Sequence, residues 1–492
     1  MTKMRLATSV VSAVLLAFAA QAQDSGEVIS KQYADGSVYE GTFVNGLQDG
    51  TGTYRLPNGF EYSGTWVAGE IIGTGIARYP NGSVYEGAFA KGQPEGKGKM
   101  TFADGGSYEG DWTSGKMTGQ GRAAYANGSV YVGGFVDGKH HGTGKITDPG
   151  GYAYEGDWQA GEKHGAGKIS YPDSTTYVGA LVHGAREGSG TLMMPNGLNY
   201  AGAWKAGQIN GLGKLTQPNG DVYEGDFVDG LKVGKGTLTY ANGDIYKGEF
   251  KADKRNGKGD FIAKDGTRYS GDWVAGPMQG GGQMTYADGS ASEGGFKADQ
   301  PDGVGKISYP DGSDYDGQWK AGAISGRGKA TYANGSSYDG TLVSAKPDGM
   351  GVMTYADGFR YEGAWKAGTR EGVGTATWAD GTVYKGNFKA GLRDGKGELI
   401  QTDGFLYTGD WKAGRMEGAG KATYPSGDVY EGGFLADKRE GAGKLIYKNG
   451  KISEGIWKGG VIIGPLPATP DAAPAPGTEA PADATPPAAT NP

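Results

Sequence analysis

The sequence contains no cysteine in its 492 residues. Without thiols the chain can form no disulfide, no thiolate metal site, no cysteine nucleophile and no lipidated cysteine. After the first 22 residues it also lacks any segment with a 3.6-residue apolar period. Nucleotide-binding loops and nucleophile elbows both need a helix that follows the loop, so the many glycine-rich matches carry no weight. We expect no catalytic residue, no cofactor and no metal, and therefore no enzyme.

Basic charge is not in excess. The chain has 48 Lys and Arg against 55 Asp and Glu, with a formal net charge of −7. Such a mildly acidic, evenly mixed sequence offers no basic footprint for nucleic acid, and it weakens binding to anionic lipid surfaces. We therefore expect no nucleic-acid partner.

Long apolar runs are confined to the first residues. Lys3 and Arg5 precede an apolar run from Leu6 to Ala19, and Ala20-Gln21-Ala22 has the small residues of a cleavage site. Residues 1–22 are therefore predicted to be a signal peptide, and the exported chain is expected in the periplasm or outside the cell. No later stretch approaches 18 consecutive apolar residues, so no transmembrane segment is expected in the mature chain.

Two further segments differ from the body in composition. Residues 23–31 form a short N-terminal lead-in, and residues 465–492 hold 9 of the 21 Pro together with many Ala. The second segment is predicted to be a disordered, partly polyproline-like tail.

The body, residues 32–464, is a repeat array. Tyr followed two residues later by Gly recurs at one constant spacing, or multiples of it, from Tyr39, Tyr62 and Tyr85 onward to Tyr430. Ser292 and Ser453 occupy the Tyr position in the two remaining registers, so 19 registers follow one another without an insertion or deletion. A fixed period of this length indicates a repeat architecture.

With the Tyr counted as position 0, position 4 is always a large apolar residue. Nine of the ten Trp fall there, and they form a candidate interaction ladder for sugar stacking or partner binding: Trp66, Trp112, Trp158, Trp204, Trp273, Trp319, Trp365, Trp411 and Trp457. Cross-strand packing is the competing interpretation of these residues.

Glycines indicate the turns. Positions 19 and 20 are mostly Asn-Gly or Asp-Gly, as at Asn196-Gly197, which favours a two-residue type I′ hairpin. Positions 11–18 and 21–6 are then predicted to be antiparallel strands, with a looser turn near positions 7–10. This register places Gly at position 2 opposite position 14, which is often Lys, as at Lys214. The Lys stem is expected to cover the aromatic rings at positions 0 and 4, with Gly 11 and 13 and apolar position 15 on the other face.

The predicted fold class is all-β: an elongated single-layer antiparallel sheet of about 18–19 tandem 23-residue β-hairpins. The segments Tyr108-Glu-Gly-Asp-Trp112, Tyr154-Glu-Gly-Asp-Trp158 and 161–167 resemble MORN repeats. The resemblance covers almost all of the body. It implies β-hairpin repeats in an extended sheet with roles in scaffolding, self-association and lipid-headgroup contact, and it names no reaction.

Two sets of titratable residues are candidate sites. Acidic residues fill position 1 in eleven registers, as at Glu155 and Glu224, but the row has no privileged pair and is interpreted as a solvated strand face. The four His are His140, His141, His164 and His183. His141 and His164 share position 10, about 9–10 Å apart across one repeat, and lack a third ligand, so a turn role is favoured over metal binding.

These observations favour a non-enzymatic, exported scaffold that presents a sheet surface to protein partners or to copies of itself. The edge strands at the two ends are the favoured sites of self-association, because they carry unpaired backbone groups. Binding of envelope glycan by the aromatic ladder and association with phospholipid headgroups remain alternatives.

Overall fold

The computed structural model describes residues 27–467. The predicted signal peptide, residues 23–26 of the lead-in and most of the tail therefore lie outside the described residues, and residues 465–467 have no regular secondary structure. Every regular element of the described range is a β-strand. Residues 27–467 contain no helix that is long and apolar enough to cross a membrane.

The described chain divides into two compact units. The first comprises residues 27–265 and Trp273–Gly276. Its strands alternate between seven and nine residues after a short first strand. They are β1 (Ile29–Gln32), β2 (Val38–Val44), β3 (Leu47–Arg55), β4 (Glu61–Val67), β5 (Glu70–Arg78), β6 (Val84–Ala90), β7 (Gln93–Thr101), β8 (Ser107–Thr113), β9 (Lys116–Ala124), β10 (Val130–Val136), β11 (Lys139–Thr147), β12 (Ala153–Gln159), β13 (Glu162–Ser170), β14 (Thr176–Val182), β15 (Ala185–Met193), β16 (Asn199–Lys205), β17 (Gln208–Thr216), β18 (Val222–Val228), β19 (Leu231–Thr239), β20 (Ile245–Lys251) and β21 (Lys254–Ile262).

The second unit comprises Gly266–Asp272 and the described residues from Pro277 onward. The strand β22 (Arg268–Trp273) belongs to it except for Trp273. The remaining strands are β23 (Met278–Thr285), β24 (Ala291–Lys297), β25 (Gln300–Ser308), β26 (Asp314–Lys320), β27 (Ala323–Thr331), β28 (Ser337–Val343), β29 (Lys346–Thr354), β30 (Arg360–Lys366), β31 (Thr369–Thr377), β32 (Val383–Lys389), β33 (Leu392–Ile400), β34 (Leu406–Lys412), β35 (Arg415–Thr423), β36 (Val429–Leu435), β37 (Lys438–Ile446), β38 (Ile452–Lys458) and β39 (Val461–Gly464).

Within each unit, successive strands pair antiparallel with their neighbours in the chain. Each repeat supplies one seven-residue strand that begins just before the Tyr and one nine-residue strand that follows it. The predicted class, an antiparallel sheet of tandem 23-residue hairpins, is confirmed.

The two turns of the repeat are the reverse of those predicted. The tight two-residue turn lies at positions 6 and 7, where Ala206 and Gly207 take φ values of +48° and +84°. Positive φ at both central residues defines a type I′ turn. The predicted I′ site, Asn196-Gly197, instead belongs to a five-residue loop over residues 194–198. Only Gly197 has positive φ there, and Asn196 Oδ1 accepts a 3.0 Å bond from the Leu198 N–H. This side-chain bond satisfies the backbone locally.

The predicted register is wrong by one residue for the same reason. Gly202, at position 2, lies opposite Gly213, at position 13, and Gly213 also faces Gly225 of the next repeat. Lys214, at position 14, lies opposite Ala201 and Glu224. Three residues, Asn210–Leu212, face the single Ala203 in a bulge where Gly211 has a φ of +96°. Because side chains alternate along a strand, the one-residue shift moves the Lys to the opposite face.

One face of the sheet buries the repeat Tyr against glycine. The ring of Tyr200 has no exposed surface, and a Cβ added to Gly213 would lie 2.5 Å from its Cε2 atom. The Tyr200 hydroxyl donates a 2.8 Å bond to the Ala203 carbonyl. Burial raises the pKa of Tyr200 to about 12. Glycine is required at positions 2 and 13 because the ring rests on their backbone.

Candidate functional site

The Trp of the predicted ladder lie on the same face as the Tyr, which we call the inner face. Eight of the nine have 6% or less of their surface exposed, and Trp319 is partly buried. Their indoles pack edge-on against Tyr rings, as for Tyr200 and Trp204, whose centroids are 5.2 Å apart with an interplanar angle of 86°. Edge-to-face pairs of this kind contribute roughly 0.5–1.5 kcal/mol beyond area burial.

The indole N–H groups of this ladder already have partners. Trp204 Nε1 donates a 3.1 Å bond to the carbonyl oxygen of Gly190, at position 13 of the preceding repeat. The other eight ladder Trp make the same bond to the residue 14 positions earlier. Each indole therefore joins two repeats, and its polar atom is used within the sheet.

Position 9, and not position 14, covers the aromatic rings. The guanidinium carbon of Arg393 lies 4.0 Å from the centroid of the Trp411 ring, and Arg255 lies 4.1 Å from Trp273. Arg393 also donates a 2.7 Å bond to the carbonyl of Gly414, whose N–H donates back to the Arg393 carbonyl. Burial lowers the pKa of Arg393. Position 9 has no composition that would predict this role, because it holds residues as different as Arg, Ile, Pro and Met.

His140 occupies position 9 of its repeat. Its ring is stacked on Tyr131 with a centroid distance of 3.6 Å, and its Nε2 is 2.7 Å from the Tyr125 hydroxyl. Burial lowers the pKa of His140 to about 4, so the ring is neutral at pH 7. His140 thus acts as a flat packing residue in the place that Arg takes elsewhere.

The other three His lie at the turn edge of the sheet. His183 Nδ1 is 2.7 Å from a carboxylate oxygen of Glu162, and its ring centroid is 5.8 Å from that of His164. In the part of the chain that the structure describes, no three His, Asp or Glu side chains group as a metal site would require.

The opposite face, which we call the outer face, carries positions 1, 12 and 14. The acidic row at position 1 lies here, and it is paired with Lys of position 14, as in Lys214–Glu224 at 2.7 Å and Lys421–Glu431 at 2.8 Å. Lys421 lowers the pKa of Glu431. Exposed pairs of this kind contribute little to stability, because water and salt screen them. The row is a solvated, ion-paired surface, in agreement with its interpretation from the sequence.

Position 12 gives the outer face an apolar row in the second unit. Val304, Met350 and Val373 are 69%, 63% and 67% exposed. A shallow groove beside Met350 is also lined by Arg327, Glu362 and neighbouring backbone. Successive repeats are about 9–10 Å apart at two strand spacings each. The sequence did not single out position 12, because Thr, Lys and Gln occupy it in other repeats.

Comparison with known proteins gives one family. The model of the MORN repeat matches 18 times between residues 39 and 452. The matched segments are 39–60, 62–84, 85–107, 108–130, 131–151, 154–176, 177–198, 200–222, 223–245, 246–268, 269–291, 293–314, 315–337, 338–360, 361–383, 384–404, 407–429 and 430–452.

Individual relatives share much less. Alsin of Rattus norvegicus is 45% identical over 56 residues, and human alsin is 41% identical over 56 residues. Each match covers 10% of this chain and 3% of alsin. Among solved structures, the TCP domain of Drosophila melanogaster SAS-4, in complex with a proline-rich motif of Ana2, is 19% identical with a TM-score of 0.22, covering 35% of this chain and 88% of that domain. A streptogramin B lyase is 12% identical with a TM-score of 0.11, covering 61% and 92%. TM-scores this low carry no argument.

Proposed function

Because the chain belongs to the family of MORN-repeat proteins, we propose that it is a non-enzymatic scaffold whose outer face binds protein partners. MORN repeats are suited to protein or membrane-lipid interaction. The observation that favours protein is the row of Val304, Met350 and Val373, each more than 60% exposed on a face that also carries rows of ion pairs. Exposed apolar groups rimmed by polar residues are typical of protein contact surfaces.

The alternatives have less support from the side chains. Glycan binding by aromatic stacking needs accessible ring faces, whereas eight of the nine ladder Trp are buried and their N–H groups are bonded. Binding to anionic headgroups needs an excess of cations, whereas the chain has 48 Lys and Arg against 55 Asp and Glu, and Lys145, Lys214 and Lys421 of the outer face are paired with glutamates. Both observations favour a protein partner on the outer face.

The test is a triple variant, Val304→Lys, Met350→Lys and Val373→Lys. Lys already occupies position 12 at Lys97, Lys235 and Lys396, so the substitutions are compatible with the repeat. The matched control carries Thr51→Lys, Thr74→Lys and Thr143→Lys. These three residues are exposed at position 12 of repeats in the first unit, so the control adds the same charge at the same repeat position.

The assay is affinity capture from extracts of the producing cells, with unchanged far-UV circular dichroism as the folding criterion. We expect a reproducible set of captured proteins that the apolar-row variant loses and the control keeps. Equal capture by both variants would refute the outer face as the binding surface. Saturable sedimentation with peptidoglycan, or salt-sensitive sedimentation with anionic liposomes, would favour the alternatives.

We further propose that the protein acts after export, in the periplasm or outside the cell. The support is the order of a basic segment, an apolar run and a small-residue site in residues 1–22. N-terminal sequencing of the protein from fractionated cells should give Gln23 as the first residue. A chain that retains Met1 and fractionates with the cytoplasm would contradict the proposal.

A further inference from the structure

The two end strands of the array are incomplete in complementary ways. A complete second strand of a repeat has nine residues at positions 8–16, such as β17, Gln208–Thr216. The last strand, β39, has only Val461–Gly464, which are positions 8–11 of the register of Ser453. The first strand, β1, has only Ile29–Gln32, which are positions 13–16 of the register before Tyr39.

Strand pairing confirms these assignments. Val461 faces Lys458 and Ile462 faces Trp457, as Gln208 faces Lys205 and Ile209 faces Trp204 in the body. At the other end Ile29 faces Gly41, as Gly213 faces Gly225. The two end strands together supply eight of the nine places of one repeat strand, since β1 and β39 have four residues each.

Each end strand leaves part of its neighbour unpaired. Among residues 27–467, no strand pairs with Ile452–Gly455 of β38 on the side of β39. Pro465 follows Gly464 and lacks the N–H that would continue the ladder. At the first end, β1 pairs with Val38–Gly41 and stops before Phe43. Unpaired strand edges of this kind are sites of strand addition.

We propose that copies of the chain associate head to tail by sharing this strand position. Ile29–Gln32 of one copy pair with Ile452–Gly455 of another, which places Ser30 opposite Glu454. Gly464 of the second copy then lies opposite Phe43 of the first, as Gly211 lies opposite Phe227 in the body. The proposal deepens the scaffold function above and rests on it, with a second copy as the partner at the ends.

The sizes of the side chains at the proposed joint support a second copy of the chain as the partner. In the body the Tyr ring at position 0 excludes a side chain at position 13, so position 13 is Gly. At the joint both residues depart from the pattern together, because position 0 is Ser453 and position 13 is Ile29. No ring lies at Ser453, and the Ile462 side chain extends over Gly455 in its place, with its Cδ1 atom 2.8 Å from a Cβ added to Gly455. In the proposed joint Ile29 packs against this isoleucine. Apolar residues are also exposed at both ends, including Ile29, Val461 and Ile463.

The joint is heterologous, so it adds copies in one direction. It is also small, because only four residues of one copy and a few of the other pair across it, and interfaces of this size are weak and transient. The test must therefore trap the contact. The absence of cysteine from the chain makes every introduced thiol unique.

The experiment mixes a full-length Ser30→Cys variant with a full-length Glu454→Cys variant under mild oxidation. Directly opposite residues on neighbouring strands are close enough for a disulfide. We expect a covalent dimer in the mixture and not in either variant alone. The matched control pairs Ser30→Cys with Lys458→Cys, an exposed residue of the same strand β38 that already faces Val461. Equal dimer in the control, or none in the test mixture, would overturn the proposal.

A second pair of variants tests the size complementarity. Adding Ser453→Tyr to the Glu454→Cys chain should lower the dimer yield by about fivefold or more, because the new ring meets Ile29. Adding Ile29→Gly to the Ser30→Cys chain should restore the yield. Loss without restoration would contradict the register. If trapping fails while the apolar-row variant still loses its partners, only the head-to-tail joint is refuted and the scaffold function stands.

Discussion

Replacing Gly213 by Ala tests the packing rule on which every repeat depends. The added Cβ would lie 2.5 Å from the Cε2 atom of Tyr200, and the Tyr200 ring is fully buried. An ordinary van der Waals contact is about 3.5–4 Å, so the ring must shift by about 1 Å or leave its place. Gly213 pairs with glycine on both sides, so backbone surrounds the site and cannot yield.

The expected cost follows from two limits. Overpacking a core costs about 1–3 kcal/mol, and losing a buried aromatic side chain costs about 3–5 kcal/mol. We therefore expect Gly213→Ala to destabilise its repeat by about 3 kcal/mol. Gly305 is the matched control, because it has the same position 13 in the repeat where Ser292 replaces the Tyr. An added Cβ there meets the Glu293 carbonyl oxygen at 3.0 Å and no Tyr ring, so about 1 kcal/mol or less is expected.

Hydrogen exchange read by mass spectrometry is the suitable assay, because a repeat array opens locally and has no single unfolding free energy. Amides of β16 and β17 should exchange roughly 100-fold faster in Gly213→Ala, since each 1.36 kcal/mol is a factor of ten. Tyr200→Ala should destabilise the Gly213→Ala variant much less than it destabilises the unsubstituted protein. Equal effects of the Gly213 and Gly305 substitutions, or additive costs in the double variant, would refute the reasoning.

Three further predictions concern the residues over and outside the ladder. Burial holds the pKa of His140 near 4, below its usual 6.5, so the stability that the neutral ring contributes is present above pH 6.5 and is lost as the pH falls toward 4. After a discount for partial exposure, we expect about 1 kcal/mol of stability to be lost between pH 7 and pH 5, seen as faster amide exchange in β11. The His140→Met variant should not show this pH-dependent loss. Arg393→Met removes the contact with Trp411 and should speed exchange in β33 and β34 by roughly 5–30-fold, a cost of about 1–2 kcal/mol, whereas the exposed Arg415→Met should not. Lys421→Ala breaks only the exposed pair with Glu431, so amide exchange in β35 and β36 should stay unchanged, and faster exchange there would contradict a solvated outer face.

The fold class follows from the sequence because an unbroken period with fixed Tyr and Gly permits few structures. The turns do not follow as simply. Asn196-Gly197 has the composition of a type I′ turn, but the Asn196 side chain accepts a bond from the Leu198 N–H, and Asn196 keeps negative φ. The actual I′ turn begins with Ala206, a residue without a turn preference of its own. Tertiary bonds to the preceding repeat decide this turn, as when the Gly207 N–H donates to the Arg186 carbonyl.

The candidate site was predicted in part. The ladder was located from Trp spacing, but its burial depends on contacts between repeats that spacing does not contain. The one-residue error in register placed Lys214 over the rings, whereas it lies on the outer face beside Glu224. The apolar row was not predicted, because the residue at position 12 changes from repeat to repeat. Arg327, for example, lies between Val304 and Met350. The residues of such a binding surface differ from one repeat to the next, so a constant period in the sequence does not reveal them.

The bond from each tight turn to a carbonyl of the preceding repeat, such as Gly414 to Arg393, is made once per repeat. If one whole repeat is deleted or duplicated, every turn N–H therefore still finds an equivalent carbonyl acceptor. A deletion or insertion of any other number of residues leaves one N–H or one carbonyl without its partner. Length is in this way a quantity that gene duplication can adjust in fixed steps without redesigning a contact. The number of repeats between two ligands bound to such a protein would therefore also change by whole repeats.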